Sequence, residues 1–204
     1  MTHVIAGVLL AATVLIAPGL LLARLGGVRG WGAVSAALPL SCAVIGISEV
    51  VAAAGGWAWV PWGWAAIAGT TAVAAGVLAI VRRIRLGSWW VRPADRPRGP
   101  RARRDDILVL CAVVVACLVL AVGTLIGMGS VSTPGQSFDI VFHLNAVQAI
   151  REIGNASSFG SMAALYQGTP TYYPTVWHGV VALLPASVTV ASNAMVLVVG
   201  SLAW

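Results

Sequence analysis

Asp139 and His143 stand four residues apart in the stretch GQSFDIVFHLNAVQAIREIGNASSF. A carboxylate can take a proton from an attacking hydroxyl or hold a cation, and an imidazole can orient it or contact a substrate. At this spacing on a helix the two side chains share a face and meet. Ser137 reads as the N-cap of such a helix and Gly154 as its C-terminal stop, leaving about four turns between them. Ala146 and Ile150 continue the face of the pair, whereas Asn145, Gln148 and Glu152 fall on the other side and make an ordinary wet face. An ionisable pair turned toward a protein wall or the membrane interface requires a partner or a task. In one reading Asp139 and His143 pair with each other and anchor the segment. In the other, Asp139 is a catalytic base or metal ligand and His143 a substrate contact. Two ligands at this spacing form half a metal site, so a divalent cation held by Asp139 and His143 needs further donors.

Other candidates flank the pair. The stretch TPTYYPTVWHG places Tyr172, Tyr173, Pro174, Trp177 and His178 at the entrance to the next apolar run. These aromatics serve either as an interfacial belt or as the lining of a sugar or isoprenoid pocket. His178 lies about one turn inside, on the side of Asp139, so Asp139, His143 and His178 are candidates to converge. Glu49 is the only acid in the first three apolar runs. It either snorkels to the interface or faces the same outer cavity. His3 is expected to be exposed. Asn155-Ala156-Ser157 matches a glycosylation acceptor pattern.

The elements that position these residues follow from composition. Hydrophobic residues make up 59% of the 204 and charged residues 9%, and the mean hydropathy is +0.93. A soluble domain carries roughly a quarter charged residues, so these charges are too few to coat a water-facing surface. Apolar runs at Val4–Leu22, Trp31–Ala54, Trp57–Val81 and Ile107–Met128 are long enough to cross a ~30 Å hydrocarbon core as helices. Pro18 is expected to kink the first. Gly55-Gly56 joins the second and third into a tight hairpin, with Trp57, Trp59, Trp62 and Trp64 as an interfacial cluster. Apolar character returns as a short helix over Thr175–Leu184, and a last helix is expected near Ser192, capped by Ser192 or Asn193. The fold class is therefore all-α: a polytopic transmembrane bundle of about five to six hydrophobic helices plus one amphipathic helix in an outer loop.

Three regions result: a three-helix unit over 1–81, an Arg/Pro-rich loop over 82–106, and a membrane unit over 107–204 with its outer loop at 129–174. The chain stops inside an apolar helix, which suggests the N-terminal part of a larger protein. The formal net charge is +6 and every basic residue is arginine, as in GC-rich bacterial genomes. Nine of the twelve arginines lie between Arg82 and Arg104. Beside membrane helices such a cluster reads as a cytoplasmic topology signal and a contact with anionic lipid. No nucleic-acid reader motif accompanies it, so nucleic acid is not an expected partner. The N-terminus and the loop over 129–174 then face outward from a bacterial cytoplasmic membrane. Cys42, Cys111 and Cys117 sit in apolar runs without metal-ligand spacing and are expected to be small buried side chains.

The stretches FDIVFHLNAVQAIREIGNASS and YYPTVWHGVVALLP resemble a family of uncharacterised actinobacterial multi-pass proteins (DUF6541-like), similar in layout to GT-C glycosyltransferases. The resemblance spans about Ile107–Trp204. It aligns Asp139 with the acidic residue of the first large outer loop and Tyr173-Pro174 with the motif opening the next helix. Ile140 stands where a second acid is often found. The resemblance implies sugar transfer from a polyprenyl-phosphate donor to an envelope acceptor by the full-length protein, the fragment alone being inactive. Asp139 would be the general base or hold a cation near the donor phosphate, and a histidine or Arg151 would contact that phosphate. Two other classes compete: a transporter or lipid-handling protein with Glu49, Asp139 and His143 along its path, and a non-catalytic membrane scaffold. No glycine-rich nucleotide loop, nucleophile elbow or zinc signature occurs.

Overall fold

The computed structural model describes residues 2–87 and 100–202. Its elements in chain order are α1 (Thr2–Leu25), α2 (Trp31–Ala54), α3 (Trp59–Leu86), α4 (Pro100–Met128), α5 (Ile140–Ile153), a short 3-10 turn (Ala163–Tyr166), α6 (Val176–Leu183) and α7 (Val188–Leu202). There is no strand among the described residues. Four helices, α1 to α4, are long and apolar enough to cross a membrane. The chain is an integral membrane protein built as a helical bundle.

The first two helices form the most intimate pair. Close approach is possible because Gly19 carries no side chain: a Cβ there would collide with the backbone of Ala37. The Gly19 amide instead donates to Ser41 Oγ at 2.8 Å. Pro18 lies within α1, which continues through it to Leu25. α3 packs against both and α6 against α2 and α3, while α5 lies across α6 and α7. Between them sits a core that includes Ile45, Trp59, Ile150, Val180, Val181 and Met195. α4 stands apart. Among the described residues it packs against α7 alone of the other helices, and a side-chain bond, Trp31 Nε1–H to Asp106 Oδ1 at 3.0 Å, ties it to α2.

The two ends of the bundle differ. Arg82 donates to the Leu25 carbonyl and Trp31 to Asp106, gathering the arginine-bearing turns at one end. At the other, the Trp59 amide donates to the Gly154 carbonyl, joining the start of α3 to the end of α5.

Several expectations change. α3 continues past Val81 to Leu86 and is closed by Gly87 in the left-handed region. α4 begins at Pro100 rather than Ile107, so both flanks of the arginine loop are helical. Arginine is a good helix former, and a helix can run on into headgroups without an apolar face. Positions 88–99, with Arg92, Pro93, Arg96, Pro97 and Arg98, lie outside the described residues, as does Trp204. Cys111 is exposed, and Cys42 and Cys117 are half-buried. An apolar helix in a membrane faces lipid as readily as protein, so hydrophobic sequence does not imply burial. α7 begins at Val188, not near Ser192. Ser187 closes its first turn, accepting the Ala191 amide on its carbonyl and the Val190 amide on its hydroxyl.

Candidate functional site

The segment over 129–139 is pinned before it reaches the site. Asn193, on α7, donates its two amide hydrogens to the carbonyls of Val131 and Thr133, at 2.9 and 2.8 Å. These two hydrogen bonds from one side chain set where the segment leaves α4. α5 then starts at Ile140 with Asp139 at its N-terminal boundary, not at Ser137. Ser137 bonds the Asp139 side chain instead. Gly154 ends the helix with φ 76°, its amide donating to Ile150 O at 2.9 Å. Ala146, Val147, Ala149 and Ile150 are buried, whereas Asn145, Gln148 and Glu152 are exposed. The amphipathic pattern therefore fixes the rotation of α5 and the direction of its first turn.

Within that turn, His143 Nε2 lies 3.0 Å from Asp139 Oδ2. His143 Nδ1 lies 2.9 Å from Nε2 of His178, 35 residues further on in α6. The two imidazoles stack at 28° with centroids 5.1 Å apart. Phe142, Tyr173 and Trp177 present edge-on rings around His178. Exposure falls along the line. The Asp139 side chain is 63% exposed and that of His143 28%, while His178 is 3% exposed. The site is thus a hydrogen-bonded file with an open carboxylate at one end and a buried imidazole at the other.

Its protonation follows from donor and acceptor counting. The bonds from Ser137, then from His143, hold the Asp139 carboxyl below its usual range. Burial first, and the neighbouring His143 second, push His178 down to about 4. With Asp139 ionised, His143 donates Nε2–H to it and accepts from His178 Nε2–H at Nδ1. His178 Nδ1, buried and without a partner, is then a bare acceptor, which costs less than an orphaned N–H. Burial raises the Tyr173 phenol, with smaller contributions from Tyr166 and Asp139. This arrangement fits a divalent cation poorly. Both nitrogens of His143 are engaged, and no group of three or more His, Cys, Asp or Glu able to hold a metal occurs among the described residues.

The other candidates lie elsewhere. Arg151 is two turns along α5 from His143, about 12 Å at 1.5 Å per residue. Its guanidinium donates to the carbonyls of Val181, Ala182, Leu184 and Ala186 at 2.9–3.3 Å. It caps the end of α6, and burial lowers its pKa. Glu49 does not snorkel: it is 1% exposed. Its Oε2 accepts from Thr175 Oγ1 at 2.8 Å, and Thr175 in turn meets Ser158 Oγ at 3.0 Å. Its Oε1 has no partner and occupies the space above Gly179 where a side chain would start. Trp59 Nε1–H donates to the Gly179 carbonyl at 2.8 Å. Glu49, Thr175 and Trp59 therefore fix α6, and with it His178. Sequence reasoning gave Ser137 and Trp59 other roles, as an N-cap and an interfacial ring, and assigned none to Phe142 and the Thr175 hydroxyl. One signal was available: a glycine inside a short helix marks a close approach.

A family profile matches residues 12–204, nearly the whole chain and every residue of this site. The chain belongs to DUF6541, a family of unknown function. No curated protein and no solved structure matches the chain. Membership of DUF6541 places α2 to α7 and the second half of α1, with the histidine file and the Glu49 contact, inside one family unit.

Proposed function

We propose that this protein is part of an envelope glycosyltransferase, acting at the outer face of a bacterial cytoplasmic membrane on a polyprenyl-phosphate sugar. The observation that carries the reading is the file from Asp139 through His143 to His178, open to solvent at its carboxylate. An acceptor hydroxyl attacks the anomeric carbon of the sugar. Asp139 takes the hydroxyl proton, and the bond between that carbon and the phosphate oxygen breaks, its electron pair leaving with the polyprenyl phosphate. His143 holds the carboxylate in place, and His178 holds His143. Tyr173 and Trp177 beside the histidines offer ring faces and edges to a sugar. The membrane lets the donor's isoprenoid tail stay in lipid while its head reaches the segment over 129–174. In this reading that segment and the N-terminus face outward, and 82–106 faces the cytoplasm.

A positioned base contributes roughly 10²- to 10⁴-fold in rate. Asp139→Asn keeps the shape of the side chain and removes its basicity. Expressed in a strain deleted for the gene, it is expected to lower sugar transfer by about that factor while inserting and melting like the parent. Undiminished transfer would remove Asp139 from the chemistry. Substrate flux through the reconstituted protein, without sugar transfer, would favour a transporter. Tolerance of every polar substitution in 129–174 would favour a scaffold.

A further inference from the structure

At the arginine-rich end, remote from the histidine file, the gap between α2 and α4 forms a second built feature. Its mouth, ≈ 310 Å³, is lined by Arg24, Trp31, Arg103 and Asp106. It shares Trp31 and Val34 with a deeper apolar crevice of ≈ 540 Å³. That crevice runs between Leu38 and Pro39 of α2 and Val109 and Val113 of α4.

We propose that this crevice binds one anionic phospholipid, its phosphate between Arg24 and Arg103 and one acyl chain along the apolar wall. Three observations favour this occupant over another protein segment. The mouth carries two guanidiniums, which pair with phosphate oxygens by charge-assisted hydrogen bonds. The one acid there, Asp106, already accepts the Trp31 indole N–H at 3.0 Å, so its charge is partly compensated and its place fixed at the side of the mouth. From Arg103 to Val113 the wall is ten residues of helix, about 15 Å. That is half of a ~30 Å hydrocarbon core, the depth of one leaflet. The crevice exists because α4, among the described residues, packs on α7 and leaves α2 beyond the Trp31–Asp106 bond. A lipid filling it would complete the contact between α2 and α4. The proposal is independent of the proposed enzymatic reading.

The test is native mass spectrometry of the protein released from dodecylmaltoside micelles doped with phosphatidylglycerol or phosphatidylcholine. One phosphatidylglycerol is expected to be retained at least fivefold more than phosphatidylcholine. Arg24→Gln/Arg103→Gln should abolish that preference. Arg85→Gln/Arg104→Gln, which removes the same charge from exposed positions outside the crevice, should preserve it. Val34→Trp leaves every charge in place and blocks the crevice, so it should cut retention of both lipids. Equal retention of the two lipids by the parent overturns the proposal. So does equal loss in both double variants, which would indicate diffuse charge attraction. Full retention in Val34→Trp would place the lipid elsewhere.

Discussion

Gly179→Ala is a one-carbon test of how α6 is held. A Cβ at this position would lie 3.0 Å from Glu49 Cδ, and closer still to Oε1. Both atoms belong to a side chain that is 1% exposed, so the carboxyl has no open space to retreat into. Overpacking of this kind costs about 1–3 kcal/mol. Displacing the carboxyl also breaks the Thr175 hydrogen bond, worth about 1 kcal/mol. Replacing glycine by alanine inside a helix returns about 1 kcal/mol. The net is a destabilisation of about 2 kcal/mol, which for a chain of this size corresponds to a fall in Tm of about 4–8 °C. Thermal unfolding in detergent, followed by circular dichroism, measures it. The decisive comparison is the Glu49→Ala background, where the obstructing carboxyl is gone. There Gly179→Ala should cost nothing and gain the helix preference. A wild-type Tm for Gly179→Ala, or the same loss in both backgrounds, would refute the contact.

Two further outcomes are expected. His178 is held at about 4, against an ordinary value of 6.5, so between those values the unfolded chain binds a proton that the folded chain refuses. Its contribution is fully present above pH 6.5 and is lost as pH falls toward 4, amounting to roughly 3 kcal/mol. Tm measured across pH 4–7.5 should decline on the acid side in the parent and stay flatter in His178→Phe; parallel profiles would contradict the assignment. Arg151→Gln should lower stability by about 2–3 kcal/mol, because it strips charged donors from the end of α6. A raised donor KM with unchanged Tm would instead show Arg151 contacting phosphate.

What the sequence reveals about this molecule is what depends on neighbours along the chain. The four spans follow from run length, Gly154 from the need for a left-handed stop, and the Asp139–His143 contact from helical spacing. The contacts that complete the site join distant positions. His178 reaches His143 across 35 residues, and Thr175 reaches Glu49 across 126. No periodicity encodes such distances. Polar residues in apolar runs were also ambiguous. Ser192 and Asn193 resemble a helix start, yet both are buried inside α7, where Asn193 fastens the segment that follows α4. For Arg151 the resemblance alone implied a phosphate contact, and the four backbone carbonyls it meets at the end of α6 leave no mark in the sequence.

The isolation of α4 has a consequence for how this chain tolerates change. Its spanning window has no buried residue, whereas α2 has the largest buried share of the four. Lipid does not discriminate among Leu, Val, Ile and Phe by shape, so α4 should drift freely within the apolar alphabet and be constrained mainly in length and in the exclusion of charge. α2 must match Ala37 and Ser41 to Gly19 of α1, and Glu49 to Thr175. Sequence variation among natural variants should therefore be broad on α4 and narrow on the inner face of α2, although the two helices are similarly apolar.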